Sequence, residues 1–242
     1  MRLSIIIPAY NEEKTIENVL TALLREVPSL YEVIVVDDGS RDETARIAES
    51  FCQAHPCVHL IRQPANQGKT AALRAGFAAS TGDIVVVQDA DLEYDPVDIP
   101  GLIEPIALGK ADVVYGSRFM TRRASRVLYF RHFMANQFLT FLSNLLTDLN
   151  LSDVETGYKA FRGEIIRNMI IETRGFGFEI EVTAKVAKLK CRVYEVPISY
   201  YGRTYEEGKK IGVKDGIDAI LYIFKYNLFT SKKRSFVREP QL

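Results

Sequence analysis

The sequence predicts a single α/β domain with a mostly parallel central sheet flanked by helices. Two observations carry that reading. Short runs rich in β-branched residues, at 3–8, 32–37, 58–61, 84–89 and 113–116, alternate with stretches whose apolar residues recur at helical period. The chain also has 242 residues, of which 47% are hydrophobic, enough for one domain of this class to bury a sizeable core.

The elements follow in order. The first run comes directly after Met1 and Arg2, which leaves no room for a signal peptide, so a cytoplasmic protein is expected. Asn11, ahead of Glu12 and Glu13, reads as a helix start, and Gly68 opens a helix over 69–80. Beyond Arg118 the pattern changes to a broad apolar helix over 130–146, a loop over 153–162, helices over 164–171 and 178–189, and a strand over 192–200. A polar segment over 201–210 leads to a last helix over 213–228. Residues 1–212 therefore form the main domain, halved at 117/118, and 213–242 form an amphipathic helix with a basic tail. Neither 133–147 nor 219–224 reaches the roughly 20 apolar residues that span a bilayer, so no transmembrane helix is expected. Both can lie flat on a membrane, helped by Lys225, Lys232, Lys233, Arg234 and Arg238, and burial in an ordinary core is the alternative for the first.

Net charge is zero but unevenly spread. Residues 1–117 hold 9 Lys and Arg against 18 Asp and Glu, leaving 22 against 13 for the rest. An acidic half able to hold a cation and a basic half able to meet phosphate or an anionic membrane surface follow from that split. Nothing points to nucleic acid. Cys52, Cys57 and Cys191 are odd in number and lack metal-ligand spacing, so reduced thiols are expected.

The chemistry gathers at strand ends, where ligands of such sheets bind. Gln88-Asp89-Ala90-Asp91 closes an apolar strand, and carboxylates two apart in extended chain point the same way, so both reach one Mg²⁺ or Mn²⁺. Asp37-Asp38-Gly39-Ser40 offers an acceptor for a base or ribose, with Gly39 permitting close backbone approach. Pro8-Ala9-Tyr10-Asn11-Glu12 supplies an aromatic wall and another acceptor. Two familiar motifs are absent. Gln63 stands where a P-loop ahead of Gly68-Lys69-Thr70 needs glycine, and no Gly-x-Gly-x-x-Gly follows the first strand, which excludes P-loop NTPases and dinucleotide-binding oxidoreductases. Lys69, near a helix start, either neutralises a diphosphate or is a solvated surface lysine.

Ile7 to Glu12, Val36 to Ser40, Asn66 to Lys69, Asp89 to Asp91 and Gly116-Ser117-Arg118 together resemble glycosyltransferase family 2. They are most similar to its dolichyl- and polyprenyl-phosphate hexose synthases. The resemblance extends through Asp153-Val154-Glu155-Thr156-Gly157-Tyr158-Lys159-Ala160-Phe161-Arg162 and Glu195-Val196-Pro197. It implies a GT-A fold and a metal-dependent, inverting hexosyltransferase. A nucleotide-sugar would be held by Asp38 and by Pro8, Ala9, Tyr10 and Glu12, with Lys69 and Ala90 beside it. The metal would sit on Asp89 and Asp91, with Glu93 at the third position, where relatives often carry Gln. Arg118, Arg131 and Arg203 would face the acceptor phosphate and the departing diphosphate, with Lys209 or Lys210 closing over them. Guanidinium groups suit that task because they bind phosphate oxygens in bidentate fashion and stay charged.

A polyprenyl phosphate acceptor is a nucleophile without help, its second pKa lying near ~6 by analogy with phosphorylated side chains. A hydroxyl acceptor would need a base, for which Glu179 and Glu181 are the candidates. The remaining alternatives are a non-catalytic nucleotide-sugar-binding protein, a sugar nucleotidyltransferase, whose glycine-rich loop is missing, and a processive synthase, whose tryptophan motif is missing. Asn66 to Lys69 looks closer to the glucosyl branch, which favours UDP-glucose over GDP-mannose.

Overall fold

The computed structural model describes residues 1–27, 30–120, 126, 129–173, 175, 177–202 and 213–240. Along the chain these form β1 (Leu3–Ala9), α1 (Ile16–Glu26), β2 (Leu30–Asp37), α2 (Thr44–Ala54), β3 (Val58–Arg62), α3 (Lys69–Ala79), β4 (Ile84–Val87) and α4 (Ile99–Ala107). There follow β5 (Val113–Ser117), α5 (Phe130–Thr147), β6 (Lys159–Arg162), α6 (Gly163–Asn168), α7 (Phe178–Leu189), β7 (Val193–Pro197), α8 (Val213–Leu228) and α9 (Lys232–Ser235). The strands make one sheet in the order β3-β2-β1-β4-β6-β5-β7.

The sheet is buried because helices cover both faces, and its strands accordingly read as unbroken apolar runs. Ile5 and Ile7 of β1 face α1 and α4 through Val19, Leu20, Leu23, Leu102 and Ile106. Ile6 points the other way, into a second core with Leu73 and Phe77 of α3 and Phe178, Val182 and Val186 of α7. A smaller third cluster, Leu139, Val154, Ile180, Ala219 and Ile223, seats the pair α5 and α8 on α7. The C-terminal segment joins the same body: Phe236 is in the second core, and Ile170 N–H donates to Ser235 O at 2.9 Å.

Three sequence expectations are corrected. Residues 159–162, expected within a loop, form β6, which runs antiparallel between β4 and β5. The strand is disguised by Lys159, which is fully buried and carries none of the apolar signal of its neighbours. Asn11 does not start a helix. It has φ 55°, and its Oδ1 accepts from Arg41 N–H at 2.9 Å while its own N–H donates to Ser40 Oγ at 3.0 Å, so it ties the β1 loop to the β2 loop and α1 begins only at Ile16. Finally, β4 ends at Val87, so Asp89 and Asp91 lie in the turn after it rather than on an extended strand.

The far end of the sheet is fixed by Asp112, whose carboxylate takes both Arg192 Nη2 at 2.7 Å and Nε at 3.0 Å, and Arg162 Nη1 at 3.2 Å. The hydrogen bond from Arg192 is the largest influence and holds the Asp112 carboxyl down to about 2 from its ordinary 3.8. A depressed folded-state value means stability that is complete above the unfolded value and is lost as the carboxylate protonates. Wild type is therefore expected to lose its urea-midpoint advantage over Asp112→Asn as pH falls from about 4 to about 2, and to keep it at pH 5–7; equal midpoints at pH 6 would contradict this.

Candidate active site

The carboxyl ends of β1, β2, β4 and β5 open into one cleft of about 1610 Å³, whose other wall is α5 and α8. Pro8, Ala9, Tyr10, Glu12, Asp38, Lys69, Asp89, Ala90, Asp91, Glu93, Arg118 and Arg131 all line it, so the sequence-predicted residues within the described part converge. Arg203, Lys209 and Lys210 lie outside the described residues.

Each loop is held by a specific contact. Asp38 is buried and accepts from Gln67 N–H at 2.9 Å and Gly68 N–H at 2.8 Å, so both its oxygens brace the loop that leads into α3. Burial, with Asp37 beside it, raises its pKa against those two hydrogen bonds. Gly39 has φ 72°, and a methyl group there would stand 2.8 Å from the Ala65 backbone; the close approach that glycine permits is made by the chain itself. Gly68, at φ 92°, turns the chain into α3 so that Lys69, its first residue, enters the cleft.

Lys69 organises the acidic wall. Its ammonium lies 2.8 Å from Asp89 Oδ1 and 3.4 Å from Glu179 Oε1. Burial alone would lower its pKa, but Asp89 and Glu179 outweigh burial and hold it above the ordinary lysine value. Glu93 turns elsewhere: its Oε2 accepts from Tyr200 O–H at 2.8 Å, while its N–H donates to Asp91 Oδ1 at 3.1 Å. The expected three-carboxylate metal set is thus not assembled, and among the described residues no three His, Cys, Asp or Glu side chains form a metal-holding group. The oxygen pair of Asp89 and Asp91 still suits a hard divalent cation that completes its shell with diphosphate and water.

Arg118 makes a bidentate fork with Asp153, Nε to Oδ2 at 2.6 Å and Nη2 to Oδ1 at 2.7 Å, and Asn136 of α5 joins both partners. Its guanidinium lies 5.1 Å from the Tyr200 ring centre. Burial pushes the Asp153 carboxyl up and Arg118 more than reverses it, leaving an ionised pair. Arg131 is exposed in the first turn of α5, on the cleft side.

The 153–158 loop holds residues to which sequence reasoning gave no role. Lys159 is fully buried and its ammonium donates to the carbonyls of Val154 and Thr156; burial pulls it down to about 8. Tyr94 O–H receives Gly157 N–H at 2.8 Å and stacks on Tyr158 with ring centres 4.8 Å apart, and Tyr158 in turn donates to Gln88. Glu155 also lines the cleft. Burial, then the Glu179 charge, raises its carboxyl to about 7 against Lys159 and Arg118. The signal was in the quoted motif, which the sequence placed in a loop over 153–162 without giving any of its residues a role.

The two base candidates separate. Glu179 lines the cleft beside Lys69. Glu181 has no exposed surface and spends its carboxylate on Glu172 N–H, Thr173 N–H and Oγ1, and Lys185 Nζ at 2.5 Å, which removes it from the chemistry.

The opposite wall mixes Phe130, Phe133, Phe138 and Ile217 with the polar Arg131, His132, Asn136, Gln137 and Asp215, and an exposed apolar surface extends from it. Phe130, Met134, Phe138, Phe141 and Leu145 form a stripe of exposed residues on α5, and Ile217, Leu221, Phe224 and Leu228 one on α8, each at helical spacing. None of the described helices is long and apolar enough to cross a membrane.

Known proteins share this architecture. The model of glycosyl transferase family 2 matches residues 4–170. The chain is 32% identical to an undecaprenyl-phosphate mannosyltransferase of Micrococcus luteus, over 94% of this chain and 95% of that protein. It is 31% identical to a dolichol-phosphate mannosyltransferase of Pyrococcus furiosus over 88% of this chain, spanning 60% of that longer protein. Among solved structures, glucosyl-3-phosphoglycerate synthase of Mycobacterium tuberculosis with Mg²⁺ and uridine diphosphate is similar at TM-score 0.72 and 22% identity, over 93% of this chain and 79% of the other.

Glu181→Gln separates a structural from a chemical role. Leaving Lys185 buried beside a neutral amide is expected to cost about 3–5 kcal/mol of stability. Thermal unfolding should shift accordingly, while activity per folded molecule stays near wild type; a dead but fully stable variant would restore Glu181 as a base.

Proposed function

We infer the function from one premise: this chain belongs to glycosyl transferase family 2. On it we propose that the protein transfers a hexose from a nucleoside-diphosphate sugar to the phosphate of a polyprenyl phosphate, with inversion at the anomeric carbon. The observation that carries this reading is a cleft with carboxylates and half-buried cations at the strand ends and, facing them, Phe130, Phe133, Phe138 and Ile217, from which the exposed apolar side chains of α5 and α8 continue. A lipid phosphate has a part suited to each. The relatives named as polyprenyl- and dolichol-phosphate mannosyltransferases favour the same acceptor and move the sugar from glucose toward mannose, with GDP-mannose as donor.

In this reading Pro8, Ala9, Tyr10, Glu12, Asp38 and Ala90 surround the nucleotide. Asp89 and Asp91 would hold Mg²⁺ or Mn²⁺, which would supply charge neutralisation of the leaving diphosphate. Lys69, positive at every relevant pH, and Arg131 add to it, as do Arg203, Lys209 and Lys210. Arg118, committed to Asp153, shapes the cleft and lends its charge through that pair. An acceptor phosphate oxygen forms the new bond to the anomeric carbon as the bond to the diphosphate oxygen breaks, and no proton has to be removed at neutral pH. A hydroxyl acceptor fits less well, because Glu181 is buried and Glu179 lies 3.4 Å from the Lys69 ammonium, which engages it.

Donor and acceptor are tested together by offering GDP-mannose and UDP-glucose with polyprenyl phosphate and reading the mass of the lipid. A hexosyl-phosphoryl lipid is expected; product only with soluble hydroxyl acceptors would overturn the reading. Asp91→Ala should slow that reaction by roughly 10²–10³ without changing the melting temperature.

Peripheral membrane attachment through α5, α8 and the basic tail is part of the proposal. Phe141 and Leu145 are 64% and 66% exposed, so replacing both with Ser should leave stability unchanged while weakening binding to anionic vesicles. Salt should weaken binding further, since the Debye length falls to about 3 Å at 1 M. Unchanged vesicle binding of the double variant would remove α5 from the contact.

A further inference from the structure

Two side chains of the 153–158 loop, Glu155 and Thr156, keep a buried oxygen without a hydrogen-bond partner among the described residues, and of the two only Glu155 lines the cleft. Asp153 holds Arg118 and Asn136, the carbonyls of Val154 and Thr156 accept from Lys159, and Gly157 N–H donates to Tyr94. Glu155, in the middle of this loop, lines the cleft, yet its Oε1 is buried and no hydrogen bond from the described residues reaches it. Folded proteins seldom leave a buried carboxyl oxygen without a partner, and when they do at a cleft, a ligand group is the natural complement.

The surroundings select the chemistry of that group. Glu179 raises the local negative potential at Glu155, so a phosphate placed there would face two carboxylates. A cation is not needed, because Lys159 and Arg118 already act on the same carboxyl. A neutral hydroxyl satisfies it in either protonation state, since a hydroxyl both donates and accepts. Position narrows the choice further. A methyl group on Gly157, two residues along, would stand 2.6 Å from Asp89 Oδ2, so the loop that bears Glu155 packs directly against the acidic turn. The group joined to a diphosphate held at that turn is the sugar.

We propose that Glu155 hydrogen-bonds a ring hydroxyl of the hexose being transferred and thereby selects the donor sugar. The proposal rests on the reading of the cleft as a nucleoside-diphosphate-hexose site. It makes Glu155 a specificity residue for the sugar, distinct from the groups that hold the nucleotide and the diphosphate.

The test needs only the donor. Calorimetry compares wild type, Glu155→Gln and Glu155→Ala for binding of GDP, UDP, GDP-mannose, UDP-glucose and donors in which one hydroxyl at a time is replaced by hydrogen. In wild type, one nucleotide-sugar should bind more tightly than its nucleoside diphosphate, and one deoxy donor should lose roughly tenfold or more. Glu155→Ala should lose that margin for the full donor, bind the nucleoside diphosphate as wild type does, and show no further loss with the same deoxy donor. Glu155→Gln, the same size, should keep part of the margin and the wild-type melting temperature.

Equal losses with every deoxy donor on variant and wild type would overturn the proposal. So would a fall in nucleoside-diphosphate affinity matching the fall for the sugar, which would mark Glu155 as a support for the loop. If wild type binds no nucleotide-sugar better than its nucleoside diphosphate, the donor reading falls and this inference with it. If the hydroxyl coupling holds while no lipid product forms, Glu155 keeps its role and only the polyprenyl phosphate acceptor is lost.

Discussion

The cleft depends on the fork between Arg118 and Asp153. Arg118 follows β5, Asp153 begins the loop before β6, and Asn136 on α5 bonds to both, so one ion pair fixes a strand end, a buried loop and a helix relative to one another. The pair is removed from water, and such a pair is favourable only when its remaining donors and acceptors are met. Here they are: Arg118 N–H and Asn136 also bond Asp153, and the guanidinium lies on the Tyr200 ring. Tyr200 donates to Glu93, which places the acidic turn under the same constraint. Removing either member would leave an uncompensated charge at the junction of all three pieces.

Much of this was legible in the sequence, and the failures have physical reasons. The runs around β1, β2 and β5 are unmistakable because both faces of the sheet are covered, which demands continuous Ile and Val. β6 escaped because Lys159 opens it, and a buried lysine looks polar until its carbonyl partners are known. The spacing of Asp89 and Asp91 pointed to the right turn, yet the inferred geometry was that of a strand, which ends two residues sooner. At Gly39 the need for close approach was read correctly and its partner was not, since the neighbour is Ala65 from a loop far along the chain. Glu155 was invisible for a deeper reason: sequence shows which groups titrate, and only packing shows which lack a partner.

The acidic wall poses an electrostatic problem that Lys69 resolves. Asp89 and Glu179 come from opposite halves of the chain, and both lie within ion-pair distance of its ammonium. One cation shared by two carboxylates remains paired when either is exchanged for another anion, so a phosphate oxygen can approach without leaving a buried charge alone. Burial, with the Glu179 charge beside it, raises the Glu155 carboxyl to about 7, while Asp89 and Glu179 hold the shared lysine above its ordinary value. Neighbouring carboxylates in one cleft are thereby given different characters by placement alone.

The apolar surface is explained by what α5 fails to bury. Of its 18 residues only Leu139, Thr140 and Ser143 are buried, because α7 and α8 cover a single narrow face. A helix apolar on most sides belongs inside a large core or against lipid, and here no further element covers it among the described residues. The stripe from Phe130 to Leu145 lies on a helix packed against α8, which carries its own from Ile217 to Leu228, and α9 with Lys232, Lys233 and Arg234 follows in the chain. Such patches on soluble proteins mark contact with an apolar partner. Because Phe130, Phe138 and Ile217 also line the cleft, that surface is continuous with the reaction site. A lipid acceptor could then keep its chain on the apolar face while its phosphate reaches the strand ends, with no need for the protein to enclose the whole substrate.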